Sequence, residues 1–327
     1  MSKDYAYASE LGAHISDFIA QKRSSGFIYD YEASVLKAFN DFYAANGYHD
    51  GTITKCIMDD WNGRFLHVSN GTRAQMMSFV RLFSVYLNSI GINSYIPGKA
   101  PSAQTPVPHV MSRDEIQSFF AAVDAYAPLV PRPAFRRLAG EYRIIFRLIY
   151  CCGLRISEAC SLHRDYVDLE NGAITIKHSK GDKDRIVYLS SDLKAVLKDY
   201  WDHICLQLAA IPEWFFPSLD PQVHMPKTSL DKKFSEFWAK TPYANTCDKN
   251  PTVHCLRHTF VVETMNTWMS SDTDLNVMMP YLSKYLGHKG RNETFYYYHQ
   301  VKDAFRLVKE KDAVSGRVLP EATAYEN

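Results

Sequence analysis

Residues 251–299 crowd together several groups capable of chemistry: His254-Cys255-Leu256-Arg257-His258 near the start, then Leu286-Gly287-His288 and Tyr296-Tyr297-Tyr298-His299. Those types suit transfer of a phosphoryl group from a phosphodiester to a protein hydroxyl. The transition state loads negative charge onto the non-bridging oxygens, and a planar guanidinium answers it with two parallel N–H donors. A phenol, with a reference pKa of about 10, is a weak nucleophile and needs a phosphate already neutralised by its neighbours. The departing alkoxide needs a proton, which lysine or histidine can give. Such a site therefore calls for two arginines, a lysine, one or two histidines and a tyrosine. Arg155 in Gly153-Leu154-Arg155-Ile156-Ser157-Glu158 and Lys180 in Ser179-Lys180-Gly181-Asp182-Lys183-Asp184-Arg185 complete the set. His254 and Arg257, three apart, share a face if their stretch is helical.

At these residues the chain resembles the tyrosine recombinases, the phage-integrase family. The resemblance covers about residues 111–301 and rests on four motifs in the family's order. They are Gly-Leu-Arg-x-Ser-Glu, Lys-Gly-x-Lys-x-Arg, His-x-x-Arg-His, and Leu-Gly-His with Tyr297 nine residues after its histidine. It implies that Arg155 and Arg257 clamp a scissile phosphate and that Lys180 protonates the leaving sugar oxygen. His254 and His288 would stabilise the phosphate and assist proton transfer, and Tyr297 would join covalently to a DNA 3′-phosphate. No cofactor and no metal are implied. The implied partners are double-stranded DNA, further copies of the chain in a synaptic tetramer, and accessory DNA-bending proteins.

The implied function is site-specific recombination for integration or excision of a mobile element. Resolution of chromosome or plasmid dimers by the same chemistry is an alternative. So is a DNA-binding protein that kept the fold and lost the reaction, although all six site positions, Arg155, Lys180, His254, Arg257, His288 and Tyr297, are intact.

Plainer readings stand beside these. Glu158 reads as a buried structural partner for a neighbouring helix or cation rather than an acid catalyst. Lys177 and Lys183 compete with Lys180 in a charged hairpin tip that solvent alone could explain. His258 reads as a residue behind the reacting groups. His254 and His258 have zinc-ligand spacing, but the glutamate a metalloprotease sets beside its first histidine is absent. Adjacent helical residues point about 100° apart, so Tyr296 and Tyr298 would pack or line DNA while Tyr297 faces the phosphate.

The elements that must position these groups are mostly helical. Apolar residues recur at helical spacing over 7–22 and 31–43, with a shorter piece at 53–61 and a long run capped by Ser69 that ends at Gly91. Prolines 97, 101, 106 and 108 mark a semi-rigid connector. The expected organisation is a helical core-binding, DNA-clamping domain at 1–95, a Pro-rich linker at 96–110, and a catalytic domain with its tail at 111–327. Ser112 and Glu115 form a capping-box pattern that opens the second domain with a helix. Further helices are expected up to Gly153, over 192–208 and over 229–240, with 270–274 as a loop. Ile174 and Ile176 against Ile186, Val187 and Leu189 read as a β-hairpin with Lys180 to Arg185 at its charged tip. The fold class is thus mostly α with a small antiparallel β-sheet.

Composition narrows the class. Hydrophobic residues make up 46% and charged residues 22% of 327, and no apolar run approaches the roughly 20 residues of a membrane span. Seven cysteines, an odd number, do not suggest a disulfide framework, and a reducing, nucleoid-associated cytoplasmic setting is expected. A net charge of +1 is low for a protein that wraps a duplex, which suggests either a modest DNA interface or a strongly dipolar surface.

Overall fold

The computed structural model describes residues 5–98, 107–177, 184–247, 250–271, 273–288 and 290–297, with the backbone alone at 291 and 292. Lys180 and the hairpin tip, most of the proline-rich connector, Tyr298, His299 and the C-terminal tail lie outside the described residues. The chain divides into two compact units, Met1–Pro106 and Val107–Asn327.

The first unit is four helices: α1 (Gly12–Ser24), α2 (Asp30–Ala45), α3 (Lys55–Gly63) and α4 (Asn70–Ser89). Ser69 caps α4 by accepting the Thr72 N–H, as its position suggested. α1 starts at Gly12, five residues later than its apolar pattern suggested, because residues 5–8 are irregular and a turn precedes the helix. Their apolar stripes close on an aromatic core in which Phe18, Phe39, Phe83 and Trp61 are buried. Burying a side chain of this size contributes about 1.5–3 kcal/mol.

The second unit carries the candidate site. α5 (Arg113–Asp124) opens with the expected capping box between Ser112 and Glu115. α6 (Pro133–Cys152) presents Leu138, Tyr142, Ile145, Phe146 and Ile149 to the core and stops at Gly153, which has φ of 60°. That glycine is required twice over: the left-handed backbone favours it, and a Cβ there would come within 2.4 Å of the Phe260 ring. Around Phe146 pack Phe119, Phe234 and Phe237, joining α5, α6 and α9 (Lys227–Trp238). Truncating Phe146 would cost about 3–5 kcal/mol.

After the short α7 (Ile156–Cys160) comes a three-stranded antiparallel sheet in the order β1 (Val167–Asp168), β2 (Ala173–Ile176), β3 (Arg185–Tyr188). Then follow α8 (Ser191–Gln207), α9, α10 (Val253–Ser270), α11 (Leu275–Leu286) and α12 (Arg291–Phe295). α10 ends at Ser270 and α11 begins at Leu275 behind an Asp274 cap, so the polar stretch between them is a connection. Two sequence expectations need correcting. β1 is a third strand that its two residues gave no signal for. Arg185 is the first residue of β3, not part of a solvated tip, and Leu189 lies beyond the strand. The pleat explains Arg185: in the register Ile174↔Val187 and Ile176↔Arg185, these four side chains share the buried face while Ile186 and Tyr188 face solvent.

Candidate active site

The candidate residues converge where the C-terminal ends of α6 and α11 meet the N-terminal turns of α7 and α10. A helix C-terminus carries unsatisfied carbonyls and partial negative charge, so it attracts cations. Arg257, 2% exposed, uses this directly. Its Nη1 donates to the Gly153 carbonyl at 2.7 Å, and its Nη2 donates to the Leu286 carbonyl at 2.8 Å. Arg155 Nη2 donates to the Gly287 carbonyl at 2.9 Å. Gly287 has φ of 66°, and a Cβ there would press on the guanidiniums of Arg185 at 3.1 Å and Arg155 at 3.4 Å. The Leu-Gly-His motif therefore needs its glycine both to end α11 and to make room for two arginines.

Glu158 organises this cationic half. Its carboxylate accepts from the Arg155 backbone N–H and Nη1, and from both Nη1 and Nη2 of Arg185. Burial alone would raise its pKa. The hydrogen bonds and charge of Arg185, with those of Arg155, outweigh burial and hold the carboxyl below its ordinary value. Glu158 is thus the buried structural partner expected from sequence. Among the described residues, three guanidiniums against this one carboxylate leave two positive charges without a counterion in the cluster. Burial first, and then the neighbouring Arg155, bring Arg257 down to about 10.

The other half is neutral. His288 Nε2 lies 3.1 Å from Arg257 Nη2, and its Nδ1 lies 2.6 Å from Thr294 Oγ1. Since a guanidinium only donates, Nε2 accepts and Nδ1–H donates to Thr294. Burial, then Arg257 and Arg155, lower the His288 pKa to about 3. His254, on the first turn of α10, is open to solvent. Partial desolvation by the surrounding protein, then the charges of Arg257 and Arg155, lower its pKa as well. Its ring meets His258 edge-on at 4.4 Å.

Tyr297 follows α12 and is 5% exposed, packed with Val261, Met265 and Leu286 in a small core of its own. Its hydroxyl lies 2.6 Å from His258 Nδ1. Burial pushes the phenol up to about 12, and burial with the neighbouring His254 brings the imidazole down to about 3. Both partners are therefore neutral, and the phenol, the more acidic of them, donates.

Of the six residues singled out from sequence, Arg155, Arg257 and His288 meet directly around Gly287. His254 borders them, and Tyr297 reaches them through His258. Lys180 lies outside the described residues. Its competitor Lys177 sits 3.5 Å from Asp184 and over the Tyr166 ring, so it closes the base of the hairpin. Sequence reasoning set His258 behind the reacting groups, yet it touches the tyrosine hydroxyl. It placed Arg185 only at the charged tip of the hairpin and did not single out Thr294. The alternation of Ile174 and Ile176 across the hairpin could have flagged Arg185; nothing marks Thr294.

The chain is similar to known proteins in sequence and in fold. The Phage integrase family model matches residues 109–304. The putative integrase/recombinase y4rE of Sinorhizobium fredii is 26% identical over 95% of this chain and 98% of its own. Tyrosine recombinase XerA of Thermococcus kodakarensis is 25% identical over 68% of this chain and 69% of its own. Among solved structures, the XerH site-specific recombinase in a post-cleavage complex with its difH substrate superposes with a TM-score of 0.63. That likeness spans 90% of this chain and 82% of XerH at 19% identity. The Tn1549 transposon integrase in complex with transposon end DNA also gives 0.63, over 94% of this chain and 100% of its own at 14% identity. At such identities the structures establish the shared fold, mostly helical with a small antiparallel sheet. The family model spans more than half of the sequence, and the chain belongs to the phage-integrase family of tyrosine recombinases.

Proposed function

We propose that this protein cuts and rejoins duplex DNA at specific sites through a covalent 3′-phosphotyrosine, in the integration or excision of a mobile element. The observation that carries the reading is the pair of uncompensated positive charges held by Arg155, Arg185 and Arg257 beside a protonated phenol. A phosphodiester is the anion that both would accept. Arg155 and Arg257 grip its non-bridging oxygens, and His254 and His288 flank it. Tyr297 attacks phosphorus, its proton passing to His258 Nδ1. The bond to the 5′-oxygen breaks, and Lys180 supplies the proton that the leaving oxygen takes. Because the phosphotyrosine retains the energy of the diester, the reverse steps rejoin a strand without an external energy source.

The same reading takes residues 1–95 as the second jaw of a DNA clamp and the synapse as a tetramer, with accessory DNA-bending proteins where the site requires them. Among the described residues no helix is long and apolar enough to cross a membrane.

A nicked duplex carrying the sequence at the boundary of the host element tests the reading. The wild type should leave a denaturation-resistant protein–DNA adduct that maps to Tyr297 and is absent in Tyr297→Phe. An adduct on Tyr296 or Tyr298 would sink the nucleophile assignment. Absence of any adduct despite binding would favour a non-catalytic DNA-binding protein. Arg257→Ala should lose cleavage and keep most of its DNA binding.

A further inference from the structure

Away from the cleft, three side chains of different chemistry converge on one carboxylate oxygen. His109 Nε2 lies 3.1 Å from Glu115 Oε1, and Cys247 Sγ lies 3.9 Å from the same atom. One donor atom from each residue falls within 4.8 Å of the other two. We propose that His109, Glu115 and Cys247 form a zinc site that fastens the start of the second unit to the segment leading into α10.

The donor set is the first reason. An imidazole, a thiolate and a carboxylate together suit zinc, whose bonds of about 2.0–2.3 Å in tetrahedral geometry set donor atoms roughly 3.3–3.6 Å apart. The two measured separations bracket that range. Charge is the second reason. Glu115 is 8% exposed, and its other oxygen is committed to the Ser112 N–H at 2.6 Å in the capping box. Among the described residues its ionic partner is His109 alone, with no lysine or arginine beside it. A carboxylate so enclosed is short of positive charge, and a dication supplies it.

Placement is the third reason. Glu115 and Cys247 are 132 residues apart, so the metal would close a long loop. Both ends of that loop run to α10: the Met111 N–H donates to Thr259 Oγ1 at 2.9 Å, and Cys247 lies six residues before the helix starts at Val253. The site would thus hold in place the helix that carries His254 and Arg257. Binding deprotonates Cys247, the proton leaving to solvent, and a water completes the fourth position. The site is distinct from His254 and His258, whose spacing alone suggested zinc.

The full chain, stripped with a chelator and titrated with cobalt(II) alone, tests this. One cobalt per chain should bind with a thiolate-to-metal charge-transfer band, and zinc should displace it and raise the melting temperature. Cys247→Ser should lose the band. Glu115→Gln, which retains an acceptor for the Ser112 cap, should fold and bind cobalt at least about tenfold more weakly. No band in the wild type overturns the proposal. A band that survives Cys247→Ser and disappears in Cys255→Ser also overturns it, by moving the metal to the α10 histidines.

Discussion

Arg137 with Glu141 on α6, and Arg155 with Glu158 at α7, use the same two residue types four and three positions apart. Both glutamates are buried in the same unit. They differ in how the charges are spent. Arg137, 3% exposed at its side chain, bonds to Glu141 and to the carbonyls of Pro217 and Ser218. The pair is closed off from solvent, and among the described residues one Glu141 oxygen is left without a partner. Glu158 has both oxygens filled by two arginines, one of which, Arg155, keeps 18% of its side chain open. A buried arginine–glutamate pair is therefore no mark of a site. A surplus guanidinium with an open edge, held by helix-end carbonyls, is.

The largest effect expected from this contrast is on the reaction. Arg155→Ala should slow single-turnover adduct formation by on the order of 10³–10⁵, the worth of an arginine that meets a transferring phosphoryl group. Its melting should change far less. Arg137→Ala should do the reverse. It leaves Glu141 and the Pro217 and Ser218 carbonyls without their donor and should cost about 1–3 kcal/mol of stability for each group left unsatisfied, while each molecule that stays folded cleaves at the wild-type rate. If Arg137→Ala slowed cleavage by the folded fraction as much as Arg155→Ala, the distinction would fail.

Much of the site is legible in the sequence. Arg257 and His254 fall on one helical turn because their three-residue spacing is helical geometry, and Gly153 reads as a helix end, whereas the same role for Gly287 shows only in the structure. Glu158 reads as a buried structural partner, and the structure supplies the reason: it caps α7 and takes two arginines. What escaped depends on register and on contacts far apart in sequence. Arg185 looked like one more charge on a polar turn, and only its pairing with Ile176 sends it inward. His258 meets Tyr297 across 39 residues, and Thr294 meets His288 through a short helix with no sequence signature of its own.

The next effect is on stability at the active end. Glu158→Gln leaves Arg155 and Arg185 adjacent with no carboxylate between them, and should destabilise by about 3–5 kcal/mol in denaturant melts at pH 7. Glu141→Gln should cost clearly less at that pH, because burial, with Arg137 opposing, pushes its carboxyl up to about 8. A neutral amide then replaces a group that is largely neutral already. Equal losses in the two variants would mean that both glutamates are ionised and the constellations are electrostatically alike.

The smallest expected effect is the most discriminating, because the two glutamates should bend stability with pH in opposite directions. Glu141 holds its proton in the folded chain up to about pH 8, whereas the unfolded chain releases it near 4.5. Its contribution is full below that lower value and is lost as pH rises through the upper one. Glu158 is held below its ordinary value, so its contribution is present above the unfolded pKa and is lost as pH falls. Melting temperatures followed from pH 4 to 9 should therefore lose their alkaline decline in Glu141→Gln and part of their acid decline in Glu158→Gln, each kcal/mol appearing as a shift of about 2–4 °C. An alkaline decline unchanged in Glu141→Gln would mean that Arg137 keeps its glutamate charged despite the burial. The two pairs would then differ in the number of arginines around the carboxylate and not in its protonation.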